Sequence, residues 1–277
     1  MTSVAPDAFE EVDDIEEFNK IVFEVDGNVG KIIFNNPDRR NAVSPDMMRA
    51  VDAALDKVIA DDSIRVLVIT GAGGKSFISG SDISKFDKHR SSPEQVEAYN
   101  QRSNRVHEKI EGMDKPTIAM INGFCIGGGA GFALDCDLRI CSEKSQFGIP
   151  AVKLGLGYRY SSVNRLSEIV GPAFAKLILF TGNRFTAAEA FHMGLVHKVV
   201  PEEELESTVM EFAENIGGNA PLTLKSIKTI INNIVKDPDD RDLEECDRQI
   251  DACFKSEDYI EGRKAFMEKR IPDFKGK

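Results

Sequence analysis

The chain has 277 residues, of which 42% are hydrophobic, and a formal net charge of −11. This length can bury a large core, as one domain or as one domain with a helical appendage; the acidic balance argues against nonspecific binding to nucleic acid or membrane surfaces but allows a phosphorylated ligand held by local basic residues. No apolar run approaches the roughly 18 residues of a transmembrane helix, so no membrane span is predicted.

Residues 1–17 are acidic and lack the basic start and apolar stretch of a secretory signal. We expect a poorly ordered tail or a short partner-binding segment there. The five cysteines are scattered without a C-x-x-C pair, which is typical of reduced thiols in the cytoplasm. No spacing of histidine, cysteine and carboxylate residues predicts a metal site.

Short apolar runs alternate with segments of helical spacing over residues 18–200, which predicts an α/β core. Strands are predicted at residues 21–25, 31–34, 64–70, 117–121, 138–141 and 195–199. Helices are predicted at residues 45–61, 93–113 and 128–136, with Ser44 as the N-cap of the first and a capping box at Thr186–Glu189 that opens another. In residues 201–277 the pattern is helical, with helices predicted at residues 202–216, 221–236, 241–255 and 256–269.

Two glycine-containing turns leave predicted strands. The strand at 64–70 runs into a glycine-rich loop that continues as FISGSDISKF, and a backbone donor in this loop would form half of an anion site. The other half would come from Gly127, Gly128 and Gly129 at a strand-to-helix junction, because glycine leaves the N–H groups accessible and the helix adds its positive dipole end. Two such donors build an oxyanion hole for a developing enolate. Tight packing also selects glycine and stays the alternative.

Several motifs then fall in order along the chain. They are NPDRRNAVS at 36–44, GKSFISGSDI at 74–83, the triple glycine with its preceding strand, FTGNRFTAAEAFHMGLVHKVVP at 180–201 and AFMEKRIPDF at 265–274. With these motifs the chain resembles the crotonase (enoyl-CoA hydratase/isomerase) superfamily from about residue 20 to about residue 273. The resemblance implies the crotonase (ClpP-like) fold, an α/β fold of stacked ββα turns with a helical C-terminal region at 201–277, assembled as a homotrimer or a dimer of trimers.

The resemblance also implies a coenzyme A thioester as ligand, with no cofactor beyond the coenzyme A moiety of that substrate. The backbone N–H groups of Ser81 and Gly128 match the family's oxyanion donors. Further substrate-binding positions are implied at Arg39, Arg40, Ala42, Ser79, Asp82, Ile83, Gly127, Phe266 and Lys269. The two arginines suit the coenzyme phosphates, although two solvated loop arginines are the other interpretation.

The chain departs from the family where hydratases carry two catalytic glutamates. These positions hold Gly131 and Ala151, and neither residue can move a proton. Hydration by a carboxylate pair requires a group that accepts a proton from water and a group that delivers one to carbon. Loss of both carboxylates predicts chemistry that differs from ordinary hydration.

Three residues are candidates to replace the glutamates. Tyr158 and Arg159, in a loop predicted at 155–165, could hold a substrate carboxylate for decarboxylation. The other interpretation is that Tyr158 and Tyr160 pack at a subunit contact and shape an apolar acyl pocket. Asp135 lies four residues after Gly131, on the same helix face, and either projects toward the site or pairs with Arg139.

The sequence therefore predicts an acyl-CoA enzyme that stabilises a thioester enolate, acting as a lyase or isomerase with non-standard acid/base residues. An acyl-CoA decarboxylase or thioester hydrolase that uses the Tyr158–Arg159 loop is an alternative. A non-catalytic acyl-CoA binding protein is a third hypothesis, and the missing glutamates motivate it.

Overall fold

The computed structural model describes residues 2–3, 14–82, 84 and 92–277. Its strands are β1 (Thr2–Ser3), β2 (Ile21–Asp26), β3 (Val29–Phe34), β4 (Val66–Gly71), β5 (Ser76–Ile78), β6 (Thr117–Ile121), β7 (Phe124–Ile126), β8 (Leu138–Ser142), β9 (Gln146–Gly148), β10 (Phe185–Thr186) and β11 (Lys198–Val200). Its α-helices are α1 (Ile15–Phe18), α2 (Pro45–Ala60), α3 (Pro93–Glu111), α4 (Gly128–Asp135), α5 (Tyr160–Thr181), α6 (Ala187–His192), α7 (Leu205–Gly217), α8 (Pro221–Ile234), α9 (Leu243–Lys255) and α10 (Glu257–Glu268).

The strands form two sheets. One has seven strands in the order β1-β2-β3-β4-β6-β8-β11, and the other has four in the order β10-β9-β7-β5. In the large sheet β1, β2 and β3 pair antiparallel, whereas the pairs from β3 to β11 are parallel. Two strands followed by a helix recur as β2-β3-α2, β4-β5-α3 and β6-β7-α4. These repeats are the stacked ββα turns that the resemblance to the crotonase superfamily implied.

The arrangement of strands in the small sheet determines where the turns after β5 and β7 lie. Strands β5, β7 and β9 are parallel neighbours, and β10 pairs antiparallel with β9. Parallel strands end at the same edge of a sheet. The turns that follow β5 and β7 therefore lie side by side at that edge.

Apolar residues cover both faces of the large sheet. On one face, Val66, Val68 and Ile118 pack against Leu205 and Val209 of α7, all at most 3% exposed. The opposite face belongs to the larger core cluster, which includes residues of α2, α3 and α4. Burial of these side chains, worth about 1.5–3 kcal/mol each, fixes the helices that carry the site.

Local signals placed most of these elements correctly. Ser44 is the N-cap of α2, and its Oγ accepts a hydrogen bond from Met47 N. The capping box of Thr186 and Glu189 opens α6. In the C-terminal part of the chain, α7 to α10 lie within a few residues of the four predicted helices.

The structure differs from the sequence prediction in several places. Strands β1, β5, β7, β9 and β10 and helix α5 were not predicted. The predicted loop at 155–165 is interrupted at Tyr160, where α5 begins. The strand predicted at 195–199 is β11, which is shorter and shifted toward the C-terminus. Helix α1, capped by Asp14, lies at the end of the predicted tail, while residues 1 and 4–13 lie outside the described residues. Within the described part of the chain, no helix is both long and apolar enough to cross a bilayer.

Candidate functional site

The turns after β5 and β7 approach each other through their backbones. A Cβ atom built on Gly128 would lie 3.8 Å from both the nitrogen and the Oγ atom of Ser81, and one built on Gly80 would lie 3.7 Å from Gly128 N. Gly127 has φ +57° and ψ −117°, a conformation that favours glycine. Its N–H donates to Gly148 O at 2.8 Å, which anchors the turn on β9.

Two N–H groups at this junction are available to a ligand. Val43 N donates to Gly80 O and Asp82 N donates to Val43 O, each at 2.9 Å, so Val43 and Ser81 form a parallel bridge. In this bridge the N–H group of Ser81 points away from Val43. Gly128 is the first residue of α4, where an N–H has no intrahelical acceptor. Among the described residues, no backbone oxygen accepts a hydrogen bond from either group. The pair can hold one oxygen anion, as an oxyanion hole requires.

A cavity of about 260 Å³ opens beside Gly128. Its lining includes Asn104 and His107 of α3, Gly128, Gly131 and Asp135 of α4, Ile149, and Tyr158 and Arg159 before α5. Five of the predicted site residues, Gly128, Gly131, Asp135, Tyr158 and Arg159, thus line one cavity. The cavity therefore adjoins the Gly128 side of the gap between the two N–H donors.

His107 is the residue of this cavity that sequence reasoning missed. Its Nδ1 atom forms a short hydrogen bond with Oδ2 of Asp135. A Cβ atom built on Gly131 would lie 3.4 Å from His107 Cε1, and the imidazole lies 5.0 Å from the Phe132 ring, centroid to centroid. The imidazole edge therefore fills the space beside the Gly131 Cα atom.

Charged neighbours of His107 set its protonation. Burial lowers the His107 pKa, but the negative charge of Asp135 and its hydrogen bond raise it, and the net result is a pKa above the ordinary value. Glu111 also raises this pKa, whereas Arg159 lowers it. Within the same pocket, burial together with the charge of Asp135 raises the pKa of Glu111 against the lowering effect of Arg165.

Asp135 does not pair with Arg139, which was the alternative that the sequence left open. The Arg139 guanidinium donates to the carbonyl oxygens of Leu195, Ala133 and Cys136, at 2.8, 3.3 and 2.6 Å. Asp135 itself is 9% exposed, and its hydrogen-bond partner among the described side chains is His107.

Arg159 and Tyr158 approach the cavity from the segment before α5. Arg159 Nη1 donates to Asn104 Oδ1 at 2.5 Å, which ties this segment to α3. Burial of the ring raises the pKa of Tyr158 above its ordinary value, so the phenol keeps its proton at neutral pH. The Arg159 guanidinium and the Tyr158 hydroxyl group thus belong to residues that line the same cavity.

The loop at 36–44 packs against the Ser81 turn. Arg39 Nη1 lies 3.0 Å from Asp82 Oδ2 and 2.9 Å from Ser84 Oγ. Ser84, mainly through its hydroxyl, and Arg39 lower the pKa of Asp82 although burial opposes them, so the carboxylate stays charged and holds the loop. Ser79 N donates to the Arg40 carbonyl at 3.2 Å. Asp82 therefore orders this loop, and the substrate contact implied for it stays a prediction.

The two loop arginines differ in their surroundings. The Arg39 side chain is 52% exposed and is paired only at its tip. Arg40 has φ +53°, and its guanidinium lies 5.3 Å from the centre of the Phe124 ring. Ala42 lies in the same loop, where its N–H donates to the Arg39 carbonyl at 3.0 Å.

Phe266, Lys269 and Ala151 are not among the residues that line the cavity beside Gly128. Phe266 is 84% exposed on α10 and lines a different cavity, of about 710 Å³, between C-terminal elements. Lys269 ends α10 in a left-handed conformation. Ala151 is buried in a short 3-10 segment, Pro150–Leu154, and Ile83 lies outside the described residues. Among the described residues, no group of three or more histidine, cysteine or carboxylate side chains is placed to hold a metal ion.

The chain is similar to known proteins over most of its length. The family model for enoyl-CoA hydratase/isomerase matches residues 24–277. The chain is 36% identical to a short-chain-enoyl-CoA hydratase of Clostridium acetobutylicum over 94% of this chain and 100% of that protein, and 35% identical to a crotonyl-CoA hydratase of Syntrophomonas wolfei over 93% and 98%. A crystal structure of an enoyl-CoA hydratase/carnithine racemase from Magnetospirillum magneticum superimposes with a TM-score of 0.87 at 32% identity, covering 93% of this chain and 96% of that one.

Proposed function

Because this chain belongs to the enoyl-CoA hydratase/isomerase family and has the crotonase fold, we propose that it is an acyl-CoA enzyme that stabilises a thioester enolate between the N–H groups of Ser81 and Gly128. The observation that carries the proposal is the pair of turns after β5 and β7, which present two backbone donors to one gap beside a cavity. Donors fixed in advance at the position of a developing oxyanion stabilise the transition state more than the ground state.

Proton-transfer chemistry on an enoyl-CoA is the reaction class that the site supports best. The glutamate positions of the family hold Gly131 and Ala151, so the ordinary carboxylate pair is missing. The cavity nevertheless holds ionisable side chains next to the oxyanion donors, among them His107 and Asp135. This arrangement favours lyase or isomerase chemistry over a protein that only binds acyl-CoA.

Mass spectrometry of acyl-CoA mixtures tests the proposal. The purified protein would be incubated with crotonyl-, longer enoyl-, dienoyl- and methylmalonyl-CoA, and substrate binding would be measured in parallel by calorimetry. Gain of one water, or a double-bond shift seen by chromatography at constant mass, supports lyase or isomerase chemistry. Tight binding with no conversion of any compound would identify a binding protein instead.

Decarboxylation or thioester hydrolysis at the Tyr158–Arg159 segment is the second candidate function. A guanidinium that faces the acyl cavity would bind an acyl carboxylate, and loss of carbon dioxide would leave an electron pair that the oxyanion donors stabilise. Release of carbon dioxide from methylmalonyl-CoA would favour decarboxylation, whereas release of free coenzyme A would favour hydrolysis.

Tyr158→Phe separates these functions. If the phenol holds a carboxylate or moves a proton, turnover should fall at least about tenfold with little change in stability, because only the O–H group is lost. Steady-state rates and thermal unfolding of the variant and the parent protein would be compared. Unchanged turnover would remove Tyr158 from the mechanism.

We further propose that the helical region at 201–277 joins copies of this chain into a homotrimer or a dimer of trimers. Phe266 and Met267 are 84% and 81% exposed and line a mostly apolar cavity of the same region, and Ile271, which follows α10, is 90% exposed. A contiguous apolar surface of this kind is typical of a protein interface. In such an assembly Phe266 and Lys269 would reach the coenzyme A bound by a neighbouring copy.

Met267→Asp is expected to break the assembly, since it places a charge in the centre of that apolar face. Light scattering after gel filtration should give three or six times the mass of one chain for the parent protein and a smaller species for the variant. Val25→Asp, at an apolar position that is 47% exposed on β2 and outside this face, is the matched control and should keep the parent mass. A monomeric parent protein would contradict the proposed assembly.

A further inference from the structure

We propose that His107, oriented by Asp135, is the single acid/base group of this enzyme and does the work of the missing carboxylates. This inference rests on the proposed function, since it assigns the proton transfer that enolate chemistry at Ser81 and Gly128 requires. The juxtaposition that carries it is an imidazole from α3 against the bare Cα atom of Gly131, in the cavity beside the Gly128 N–H.

The imidazole occupies the place of an absent side chain. Any side chain at position 131 would start 3.4 Å from His107 Cε1, and a longer one would compete with the ring for the same space. Gly131 lies three residues after Gly128, so both positions share one face of α4. A proton-transfer group is therefore supplied to this face by the neighbouring helix instead of by α4 itself.

Asp135 fixes the orientation of the ring. A carboxylate only accepts hydrogen bonds, so the short contact places the proton on Nδ1 of His107. The other nitrogen, Nε2, then carries the free lone pair, and no described residue forms a hydrogen bond with it. Asp135 also stabilises the imidazolium that forms when Nε2 takes a proton, as in other carboxylate–histidine pairs.

One imidazole suffices for a balanced reaction. In hydration, Nε2 accepts a proton from water while the oxygen bonds to C3 of the enoyl group, and the electron pair moves to the thioester oxygen held by Ser81 and Gly128. The enolate then collapses, and its C2 atom takes the same proton back from Nε2. In a double-bond shift, Nε2 takes a proton from one carbon and returns it to another, with the enolate between the two steps.

The charges around the ring set the expected pH dependence. Asp135 and Glu111 favour the imidazolium, while burial and Arg159 oppose it, and the His107 pKa is raised overall. Arg165 and Tyr158 also line this cavity. Proton abstraction needs the neutral ring, so its rate should rise with pH through the raised pKa. Removing the Asp135 charge should move that midpoint to lower pH.

Exchange of the C2 protons of butyryl-CoA in D₂O tests the assignment without knowledge of the natural acyl group. The parent protein should catalyse exchange, and His107→Gln should slow it at least about 100-fold while butyryl-CoA binding, measured by calorimetry, changes less than about threefold. Asp135→Asn should retain part of the activity with its pH midpoint shifted downward. Exchange in His107→Ala should be partly restored by added imidazole.

A matched variant and a binding measurement distinguish failure of the His107 assignment from failure of the proposed function. His192→Gln applies the same change to an exposed histidine of α6 and should behave as the parent protein. Binding together with exchange that is unaffected by His107→Gln would overturn the assignment and leave the proposed function intact. Binding without exchange in the parent protein would also overturn the assignment. Absence of binding would overturn the proposed function itself.

Discussion

Gly128→Ala is expected to give a folded protein whose acyl-CoA turnover is at least about 100-fold below that of the parent. The added Cβ atom would meet nothing closer than 3.8 Å, so α4 has room for it. That room is the gap between Gly128 and Ser81 N, in which the thioester oxygen would lie. The methyl group therefore keeps the oxygen from the two donors without disturbing the backbone.

Gly129→Ala is the control for this prediction, since it makes the same change one residue further along. Its Cβ atom would lie 2.0 Å from the Ile78 carbonyl oxygen of β5, a contact that only a backbone shift can relieve. We expect it to destabilise the protein by about 3 kcal/mol or more. Urea unfolding should show native stability for Gly128→Ala and a loss for Gly129→Ala. Full turnover by Gly128→Ala would exclude this gap as the oxyanion site.

The contrast between these neighbours shows what the sequence could reveal about the turn. The three glycines predicted a site where backbones approach a ligand or each other. The packing interpretation is confirmed at Gly129, and the ligand interpretation stays a prediction at Gly128, where the structure leaves room. Gly129 is the packing glycine and Gly128 is the open one. The difference between Gly128 and Gly129 depends on the position of β5 relative to α4. Strands of three residues, such as β5 and β7, carry too little hydrophobic pattern to be placed from sequence alone.

The long strands of the large sheet and the helical C-terminal region were predictable because they depend on local signals, whereas the ββα order was implied by the family resemblance. The Ser44 cap, the Thr186 capping box and the apolar runs of the large sheet each act within a few residues. Helix α5 was missed as a whole, because residues 155–165 were interpreted as one continuous loop and no element was predicted over residues 166–181.

His107 was missed for a different reason. Its helix was predicted, and the fully buried Val106 and Ile110 mark the face that packs inward. A histidine between them at this spacing was the available signal. Its partner Asp135 lies 28 residues away on α4, and the pairing depends on how two helices pack, which one sequence does not specify.

Arg139→Met is expected to cost about 3 kcal/mol or more of folding stability, although it removes no residue of the cavity lining. The Arg139 side chain is 4% exposed and donates to the carbonyl oxygens of Leu195, Ala133 and Cys136. Burial lowers the Arg139 pKa to about 10, so the guanidinium remains charged at neutral pH. A methionine of similar length leaves these carbonyls buried without donors, at about 1–3 kcal/mol each.

Loss of the Arg139 guanidinium should also disturb the position of Asp135 in the cavity. Ala133 and Cys136 flank Asp135, so Arg139 holds the end of α4 from which the carboxylate orients His107. Urea unfolding should show the lost stability, and residual activity of the folded fraction should be lower than in the parent. Arg248→Met, at an exposed arginine of α9 that pairs with Glu245, is the matched control and should change stability by less than about 0.5 kcal/mol. Equal stability of the two variants would mean that the end of α4 is held by the packing of its apolar face alone.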